Sequence, residues 1–264
     1  MSWHETAFGS HYAWLYAHRD AAEAAACIDA LAGILPLAEG IVLDLGCGEG
    51  RHLAPLGQRC PRGAVGVDLS PALLRNARAL TVGAPPLGLI RADMRSLPFG
   101  GGVFRTVVSL FTSFGYFGGL EDHRDLLAGI ARVLAPGGRW CLDYLNCRQV
   151  RRDMAEPRTA TVREAGPCRV TETKRLDPDG DRILKRVEIA PLPGRRDQAA
   201  ALGIPETGLA YTEAVALFEP EELDALASSV GLERCGALGG YDGRAFAPDA
   251  AARWILVYGK DRLS

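Results

Sequence analysis

Short apolar runs alternate with amphipathic stretches from residue 20 to residue 146 of the chain. The apolar runs predict strands because each is short and is bounded by glycine, proline or an acid. The predicted strands are 41–45, 64–67, 87–90, 104–111 and 139–145, and the predicted helices are 20–35, 51–58, 70–80 and 121–134. Strands that alternate with helices in this way indicate a parallel sheet with helices on both faces.

The pattern changes in the second half of the chain. Residues 158–189 carry short alternating stretches around the turn 177–180, which predicts an antiparallel hairpin, and residues 190–210 are rich in Pro, Gly and Ala and predict a loop. The core pattern then resumes with a predicted helix at 220–230 and two antiparallel edge strands at 232–238 and 253–258. We therefore expect an N-terminal segment (1–38), a core (39–147 and 216–264) and a β-rich insertion (148–215).

Composition narrows the class of protein. Of the 264 residues 48% are hydrophobic and 23% charged, as in an ordinary globular protein, and a net charge of −2 without a dense basic segment argues against nucleic-acid binding. The seven cysteines show no CxxC or Cys/His ligand spacing, so neither a disulfide framework nor a metal site is expected. Without a signal-peptide pattern or a long apolar run, a cytoplasmic protein with no membrane partner is the expectation.

Three carboxylates stand at or just after the ends of the first three predicted strands, namely Asp44, Asp68 and Asp93. Ligands of open α/β sheets bind beyond the carboxyl ends of the strands, so we expect these side chains to line one crevice. Asp68 follows Gly46 by 22 residues, a separation at which an acid accepts hydrogen bonds from a ribose diol. Asp93 suits the amino group of adenine, Met94 would pack against the base, and Asp44 sits where a cationic group would lie.

The glycine loop VLDLGCGEGRH (42–52) distinguishes between nucleotide ligands. A dinucleotide fingerprint is GxGxxG, whereas this loop has GxGxG, and Glu49 would be an unfavourable charge beside a pyrophosphate. The triphosphate loop GxxxxGK[ST] does not occur, and the first lysine of the chain is Lys174. A nucleoside with few or no phosphates therefore fits best.

These residues resemble the class I S-adenosylmethionine-dependent methyltransferases. The segments that carry the resemblance follow the family's order: VLDLGCGEG, GVDLS (66–70), RADMRSLPF (91–99), VVSLFTSFGYF (107–117) and LAPGGRWCLDYLN (134–146). The resemblance implies a Rossmann-like doubly wound sheet of seven strands in the order 3-2-1-4-5-7-6, with strand 7 antiparallel. It also implies S-adenosylmethionine as cofactor.

The resemblance assigns the cofactor contacts to individual positions. It implies that Asp44 lies near the cofactor's amino group, that the glycines pack against its methionine part, that Asp68 holds the ribose, and that Phe111 lines the pocket. The full set of core residues expected to contact the cofactor is Asp44, Gly46, Cys47, Gly48, Asp68, Leu69, Asp93, Met94 and Phe111.

A narrower resemblance concerns bacterial small-molecule N-methyltransferases, including those that methylate amino sugars. It is carried by HYAWLYAHRDAAEAA near the N-terminus, SFGYF after the fourth strand, the β-rich insertion and ALFEPEELDALASSVGL near the end. By analogy the segment 1–38 is a lid in which Tyr12, Tyr16 and Arg19 close the site, with Tyr16 and Arg19 on the cofactor and Arg19 at its carboxylate.

The acceptor is expected between the ends of the fourth and fifth strands, the lid and the insertion, where Tyr12, Tyr116, Tyr144 and Asn146 are the predicted contacts. Methyl transfer from a sulfonium is an in-line displacement, and only a hydroxyl acceptor needs a strong base. No base stands out among Tyr16, Tyr116 and His123, the candidate catalytic residues, which favours an amine nitrogen. We expect a small-molecule acceptor, with a homodimer left open.

Two other classes of function stay open at this point. A nicotinamide-dependent oxidoreductase would use the same ribose acid, although the glycine spacing argues against it. A non-catalytic binding module with this fold is expected to lose the acids or the glycines, and all of them are present. TSFG stands where an NPPY-type tetrapeptide would follow the fourth strand, which argues against DNA-adenine and protein-glutamine methyltransferases.

Overall fold

Two β-sheets organise the chain, and a computed structural model describes residues 6–16, 21–80, 87–156 and 160–261. The strands are β1 (Ile41–Leu45), β2 (Ala64–Asp68), β3 (Leu87–Arg91), β4 (Phe104–Ser109), β5 (Leu134–Leu145), β6 (Thr161–Ala165), β7 (Cys168–Leu176), β8 (Arg182–Pro191), β9 (Leu209–Ala216), β10 (Leu232–Leu238) and β11 (Arg253–Lys260). The helices are α1 (His11–Leu15), α2 (Ala21–Ala32), α3 (Leu53–Arg59), α4 (Pro71–Leu80), α5 (Leu120–Val133), α6 (Cys147–Met154), α7 (Arg196–Ala201) and α8 (Pro220–Ser228).

The larger sheet has the strand order β3-β2-β1-β4-β5-β11-β10. Strands β1 to β5 pair in parallel, and β11 runs antiparallel to both β5 and β10. This arrangement confirms the predicted order 3-2-1-4-5-7-6 with an antiparallel seventh strand. Because the strand order reverses between β1 and β4, the carboxyl ends of these two strands open a crevice there.

Helices cover both faces of the larger sheet because the strand residues alternate between them. Val107 and Leu142 pack with α5 and α8, whereas the neighbouring Val108 and Cys141 pack with α2 and α3. Each strand therefore reads as a continuous apolar run in the sequence, since both of its faces are buried.

The smaller sheet is antiparallel, with the strand order β6-β7-β8-β9. The predicted hairpin is present between β7 and β8, where Asp177 accepts hydrogen bonds from the backbone of Asp181 and Arg182. The inner face of this sheet packs on α1 through Leu15, Val187 and other apolar residues. The insertion thus forms a separate sheet beside the N-terminal segment.

Some predicted boundaries are wrong. Strand β4 ends at Ser109 rather than at 111, because the chain turns sharply after it. Strand β5 begins at Leu134 rather than at 139, since a bulge with Gly137 at φ +73° keeps the predicted turn within the sheet. The predicted loop 190–210 contains α7 and the first residues of β9, and α6 has no counterpart among the predicted helices.

None of the helices in the described ranges has both the length and the apolar composition that a membrane span requires.

The Tyr144 hydroxyl joins the two sheets, since Tyr144 is fully buried on β5 and donates to the backbone carbonyl of Ala216 on β9. We expect Tyr144→Phe to lower the free energy of unfolding by about 1–3 kcal/mol, because the buried carbonyl loses its donor. Urea denaturation measures this loss. Affinity for S-adenosylhomocysteine, measured by calorimetry on the folded protein, is expected to stay unchanged, and a selective loss of ligand binding would contradict this structural role.

Candidate active site

A cavity of about 830 Å³ opens at the carboxyl ends of β1 to β4. It has the size and position typical of a small-molecule site in an open α/β sheet. The predicted site residues that line it are Tyr12, Tyr16, Asp44, Gly46, Cys47, Gly48, Asp68, Leu69, Asp93, Met94, Phe111 and Tyr116. Residues from separate strands and from the N-terminal segment are therefore brought together, as expected for one crevice. Arg19 lies outside the described residues.

The glycine loop forms the floor of the cavity in a conformation that requires glycine. Gly46, Gly48 and Gly50 have φ angles of +79°, +54° and +74°. A Cβ atom on Gly46 would lie 2.7 Å from the Cβ of Ser113, so a larger residue would collide there as well as being strained. The backbone N–H groups of Gly46 and Cys47 donate to the Val67 carbonyl at 2.8 and 3.0 Å, which anchors the loop to β2.

Asp44 is a buried carboxylate with an unused acceptor. Its side chain is only 1% exposed, it lines the cavity, and its Oδ2 atom has no hydrogen-bond partner among the described residues. Burial, reinforced by the charge of Asp68, raises the pKa of Asp44 from 3.8 to about 7, and the charge of Arg51 opposes this rise. A buried acceptor of this kind is costly without a partner, so the site fits a ligand with a cationic donor at this position.

Asp68 ties the end of β2 to the glycine loop. Its Oδ2 accepts from the Gly48 N–H at 2.9 Å and its Oδ1 from the Ser70 N–H at 2.8 Å. Burial raises the pKa of Asp68, and these hydrogen bonds oppose the rise. A carboxylate offers about four acceptor sites, so these backbone contacts leave Asp68 with capacity for a hydroxyl donor of a ligand.

Asp93 lines the cavity, but its carboxylate is held by a neighbour that sequence reasoning missed. Arg95 donates to it through Nε at 3.1 Å and Nη2 at 2.7 Å, and also pairs with Asp122 at 2.9 Å. Asp93 and Arg95 therefore act as one polar unit at this end of the cavity. A ligand amino group that binds Asp93 would share the carboxylate with the guanidinium.

Phe111 forms a wall of the cavity from a strained backbone. Phe111 and Thr112 have φ angles of +52° and +64°, which side-chain-bearing residues rarely adopt and which cost roughly 1–3 kcal/mol each. The buried carboxylate of Asp143 accepts from the Phe111 N–H and the Tyr241 hydroxyl, both at 2.7 Å, and from Arg253 Nε. These contacts hold the strained turn in place.

Four aromatic residues that line the cavity contact one another, and we define them as the aromatic wall: Phe8, Tyr12, Tyr16 and Tyr116. The ring of Phe8 lies 5.6 Å from that of Tyr12 and 5.8 Å from that of Tyr116, and the rings of Tyr12 and Tyr16 are 4.7 Å apart. Lys185 of the insertion sheet donates to the Tyr16 hydroxyl at 2.6 Å. The insertion therefore contacts the aromatic wall through this hydrogen bond.

Three predicted site residues do not line the cavity, namely Tyr144, Asn146 and His123. Tyr144 is buried between the two sheets, with its hydroxyl bonded to Ala216. Asn146 caps α6, because its Oδ1 accepts from the Gln149 N–H at 3.0 Å, and its amide donates to the carbonyls of Pro248 and Ala251. Both side chains are occupied by structural contacts, so their assignment to the acceptor site is wrong.

His123 is also placed away from the cavity. It is 1% exposed and packs against Phe114, Phe117 and Phe218, with Nδ1 2.7 Å from the Gly119 carbonyl. Burial lowers its pKa, so the neutral imidazole belongs to this aromatic cluster. The geometry removes His123 from the candidate bases and leaves Tyr16 and Tyr116 in contact with the cavity.

Comparison with known proteins agrees with this geometry. Residues 42–138 match a family model described as a methyltransferase domain. The trans-aconitate 2-methyltransferase of Azoarcus sp. (strain BH72) is 34% identical over 128 residues, 48% of this chain. The dTDP-3-amino-3,4,6-trideoxy-alpha-D-glucopyranose N,N-dimethyltransferase of Streptomyces venezuelae is 36% identical over 118 residues, 45% of this chain. The chain spans about half the length of these curated relatives, 45% and 47%.

Two solved structures show how far the fold is shared. The CcbJ methyltransferase from Streptomyces caelestis superposes with a TM-score of 0.72 at 19% identity and covers 90% of both chains. The S-adenosylmethionine-bound CalS10, an amino pentose methyltransferase from Micromonospora echinaspora, gives a TM-score of 0.59 at 25% identity, with 92% of this chain and 91% of that chain covered. At this coverage the likeness in fold extends beyond residues 42–138.

The raised pKa of Asp44 makes stability depend on pH. The pKa of Asp44 is about 7 in the folded chain, against an ordinary value of 3.8, so the folded state binds a proton more tightly than the unfolded state. The proton's contribution to the free energy of unfolding is therefore lost as the pH rises from about 4 through about 7. The side chain of Asp44→Asn stays neutral at every pH. We therefore expect this variant to lose the pH dependence of the free energy of unfolding that Asp44 causes, about 1.4 kcal/mol for each pH unit between the two pKa values. Urea denaturation of both proteins without ligand, over this range, measures the difference. Parallel profiles would contradict it.

Proposed function

We propose that this chain is an S-adenosylmethionine-dependent methyltransferase that methylates a small molecule, with an amine nitrogen as the favoured acceptor. The observation that carries the proposal is a cavity lined by Asp44, Asp68 and a glycine loop with positive φ angles, in which the Oδ2 atom of Asp44 has no hydrogen-bond partner among the described residues. The methyltransferase-domain match at residues 42–138 covers the same strands and loop. Two curated relatives are named for small-molecule acceptors, one for trans-aconitate and the other, an N,N-dimethyltransferase, for a dTDP-linked amino sugar.

The charges of the cavity also support a phosphate-free, cationic cofactor. Among the described lining residues, the carboxylates of Asp44, Glu49, Asp68, Asp93 and Asp122 outnumber the guanidinium groups of Arg51, Arg91 and Arg95. A pyrophosphate would be repelled by this wall, whereas a sulfonium nucleoside with a free amino group is attracted to it. The nicotinamide alternative is therefore disfavoured by charge as well as by glycine spacing.

The chain's own residues have a simple part in the reaction. S-adenosylmethionine, when bound, supplies an electrophilic methyl group on sulfur. Asp44 would accept from the amino group, Asp68 would accept from the ribose hydroxyls, and the glycine loop allows close approach of the backbone. Fixing both reactants in this way supplies about 7–11 kcal/mol of the barrier reduction in well-aligned reactions.

The acceptor would lie against the aromatic wall, where Tyr12, Tyr16 and Tyr116 face the cavity. Phenol groups orient an acceptor and exclude water, but at neutral pH they are weak bases. Burial raises the pKa of Tyr16, and the charge of Glu213 adds to the rise, so this hydroxyl stays protonated. An amine needs no stronger base, because its neutral form already carries the attacking lone pair.

The cofactor assignment is tested by calorimetry with S-adenosylhomocysteine and NAD. We expect binding of S-adenosylhomocysteine only, and a loss of about 10- to 100-fold in its affinity for Asp68→Asn, since a charged acceptor of ribose hydroxyls becomes neutral. The matched control is Glu49→Gln, which removes a cavity carboxylate that is bound by Asn76 at 3.3 Å. Binding of NAD instead, or an unchanged affinity of Asp68→Asn, would contradict the assignment.

The acceptor class is tested with a matched pair of compounds. We expect methylation of dTDP-3-amino-3,4,6-trideoxy-glucopyranose, or of another primary amine from a panel of amino sugars, and none of the corresponding 3-hydroxy compounds. The rate should rise with pH as the acceptor ammonium loses its proton. Mass spectrometry of the product locates the methyl group. Methylation of hydroxyl compounds alone would overturn the amine preference and leave the cofactor assignment intact.

A further inference from the structure

The loop between β4 and α5 brings Tyr116 and Phe117 to the cavity, and its sequence gives it little rigidity of its own. Residues 113–119 read SFGYFGG, so three of the seven positions are glycine. Glycine loses more backbone freedom on folding than any other residue, so such a loop keeps one shape only where other contacts hold it. The larger sheet holds its start, since the Ser113 hydroxyl donates to a carbonyl of β1 at 3.0 Å and Phe114 is buried in the core.

The insertion holds the rest of the loop. The Gly115 carbonyl accepts from the backbone N–H of the last residue of β9 at 2.9 Å. Arg182, the first residue of β8, donates through Nη2 to the carbonyls of Phe117 and Gly118, the latter at 2.9 Å. These contacts lie on both sides of Tyr116 in the chain. The insertion therefore fixes the backbone before and after this cavity residue.

Close packing joins the loop to the insertion at the same place. Gly115 has a φ angle of +104°, and a Cβ atom there would lie 2.9 Å from the side chain of Val215 on β9 and 3.2 Å from the Tyr144 hydroxyl. A side chain at this position would push the loop away from the insertion as well as straining its backbone.

The insertion acts on the cavity through other residues rather than directly. Among the described residues that line the cavity, none belongs to the range 148–215. Arg182 instead holds the loop that carries Tyr116, and Lys185, three positions further along β8, donates to the Tyr16 hydroxyl. One strand thus supports two separate parts of the aromatic wall.

We propose that Arg182 is a positioning residue for the methyl acceptor, because it holds the loop that presents Tyr116 and Phe117 to the cavity. This inference rests on the proposed function, since it assumes an acceptor that lies against the aromatic wall. Without Arg182 the acceptor has to order the loop when it binds, and the entropic cost of this ordering weakens binding. The reacting groups are unchanged, so KM for the acceptor rises more than kcat falls.

The inference is tested with Arg182→Met, which keeps an apolar side chain and removes the N–H donors. The acceptor is the compound that the natural protein methylates fastest in the panel of amino sugars and their hydroxy counterparts. At saturating S-adenosylmethionine we expect its KM to rise on the order of 10-fold and kcat to stay within about threefold. Arg182→Lys should recover part of the loss, because an ammonium group donates to the same carbonyls.

Two further measurements separate this role from a general loss of structure. The affinity for S-adenosylhomocysteine, measured by calorimetry, is expected to fall much less than that for the acceptor, because the glycine loop is anchored to β2. Hydrogen–deuterium exchange of the S-adenosylhomocysteine complex of Arg182→Met should be faster in residues 114–119 and unchanged in residues 42–52.

The matched control is Arg186→Met. Arg186 is an exposed residue of the same strand, and in the described structure its guanidinium group pairs with Glu188 of that strand at 2.8 Å. Its removal takes the same charge from β8 and leaves the contacts of Arg182 with the loop in place. We expect this variant to change neither KM nor the exchange of residues 114–119.

The outcomes distinguish the inference from the function on which it rests. If the natural protein neither binds S-adenosylhomocysteine nor methylates any compound of the panel, the proposed function fails. If it does both, and Arg182→Met leaves KM unchanged or weakens both ligands equally, the function stands and the positioning role is overturned. Faster exchange without a change in KM also overturns it, since Arg182 then supports the fold alone. A rise in KM together with faster exchange confined to residues 114–119 supports it.

Discussion

The cavity wall at Phe111 depends on the hydrogen bonds of one buried carboxylate, that of Asp143. It lies on β5 and accepts from the backbone of Phe111, from Tyr241 and from Arg253. Arg253 also donates to the Thr112 hydroxyl at 2.6 Å, and the Thr112 N–H donates to the Asp143 carbonyl at 3.1 Å. Both residues of the strained turn are thereby fixed. A buried charge is stable here because it is paired and fully hydrogen-bonded.

The cavity itself shows the opposite situation. Asp44 is buried and Arg51 is partly exposed, and each has one buried polar atom without a partner among the described residues; such atoms lower stability until a partner satisfies them. The fold offsets this cost elsewhere, through the continuous apolar strands of the larger sheet and the helices on both of its faces. Stability and binding thus make opposite demands on neighbouring residues of β1: Leu43 and Leu45 are buried in the core, while Asp44 between them faces the site.

Sequence reasoning located the parts of the site that depend on strand ends. The apolar runs predicted a parallel sheet, the family resemblance implied its strand order, and the acids and glycines that follow the runs line one cavity. It failed where a side chain's direction depends on distant partners. Tyr144 and Asn146 stand near the end of β5, but their polar atoms are bonded to residues 72 and 105 positions away, which no local pattern indicates.

Backbone conformation after β4 was equally hard to predict. Phe and Thr are unfavourable at positive φ, so the sequence suggested a strand through 111. The turn forms because Asp143 and Arg253 stabilise it, and neither residue is close to it in the chain. Arg51, in contrast, was within reach of sequence reasoning, since it directly follows the last glycine of the loop and is the first basic residue there.

The pairing of Asp143 with Arg253 joins positions that are 110 residues apart, and the whole insertion lies between them. Strands β1 to β5 are complete long before β11 is made, so a growing chain has the glycine loop and the acids but lacks the partner that holds the Phe111 turn. Such long-range contacts form late, because closing a long loop carries a large entropic cost before any contact is gained. Strand β11 thus gives the sheet its shaped cavity wall, although it is separated from that wall in the chain by the whole insertion.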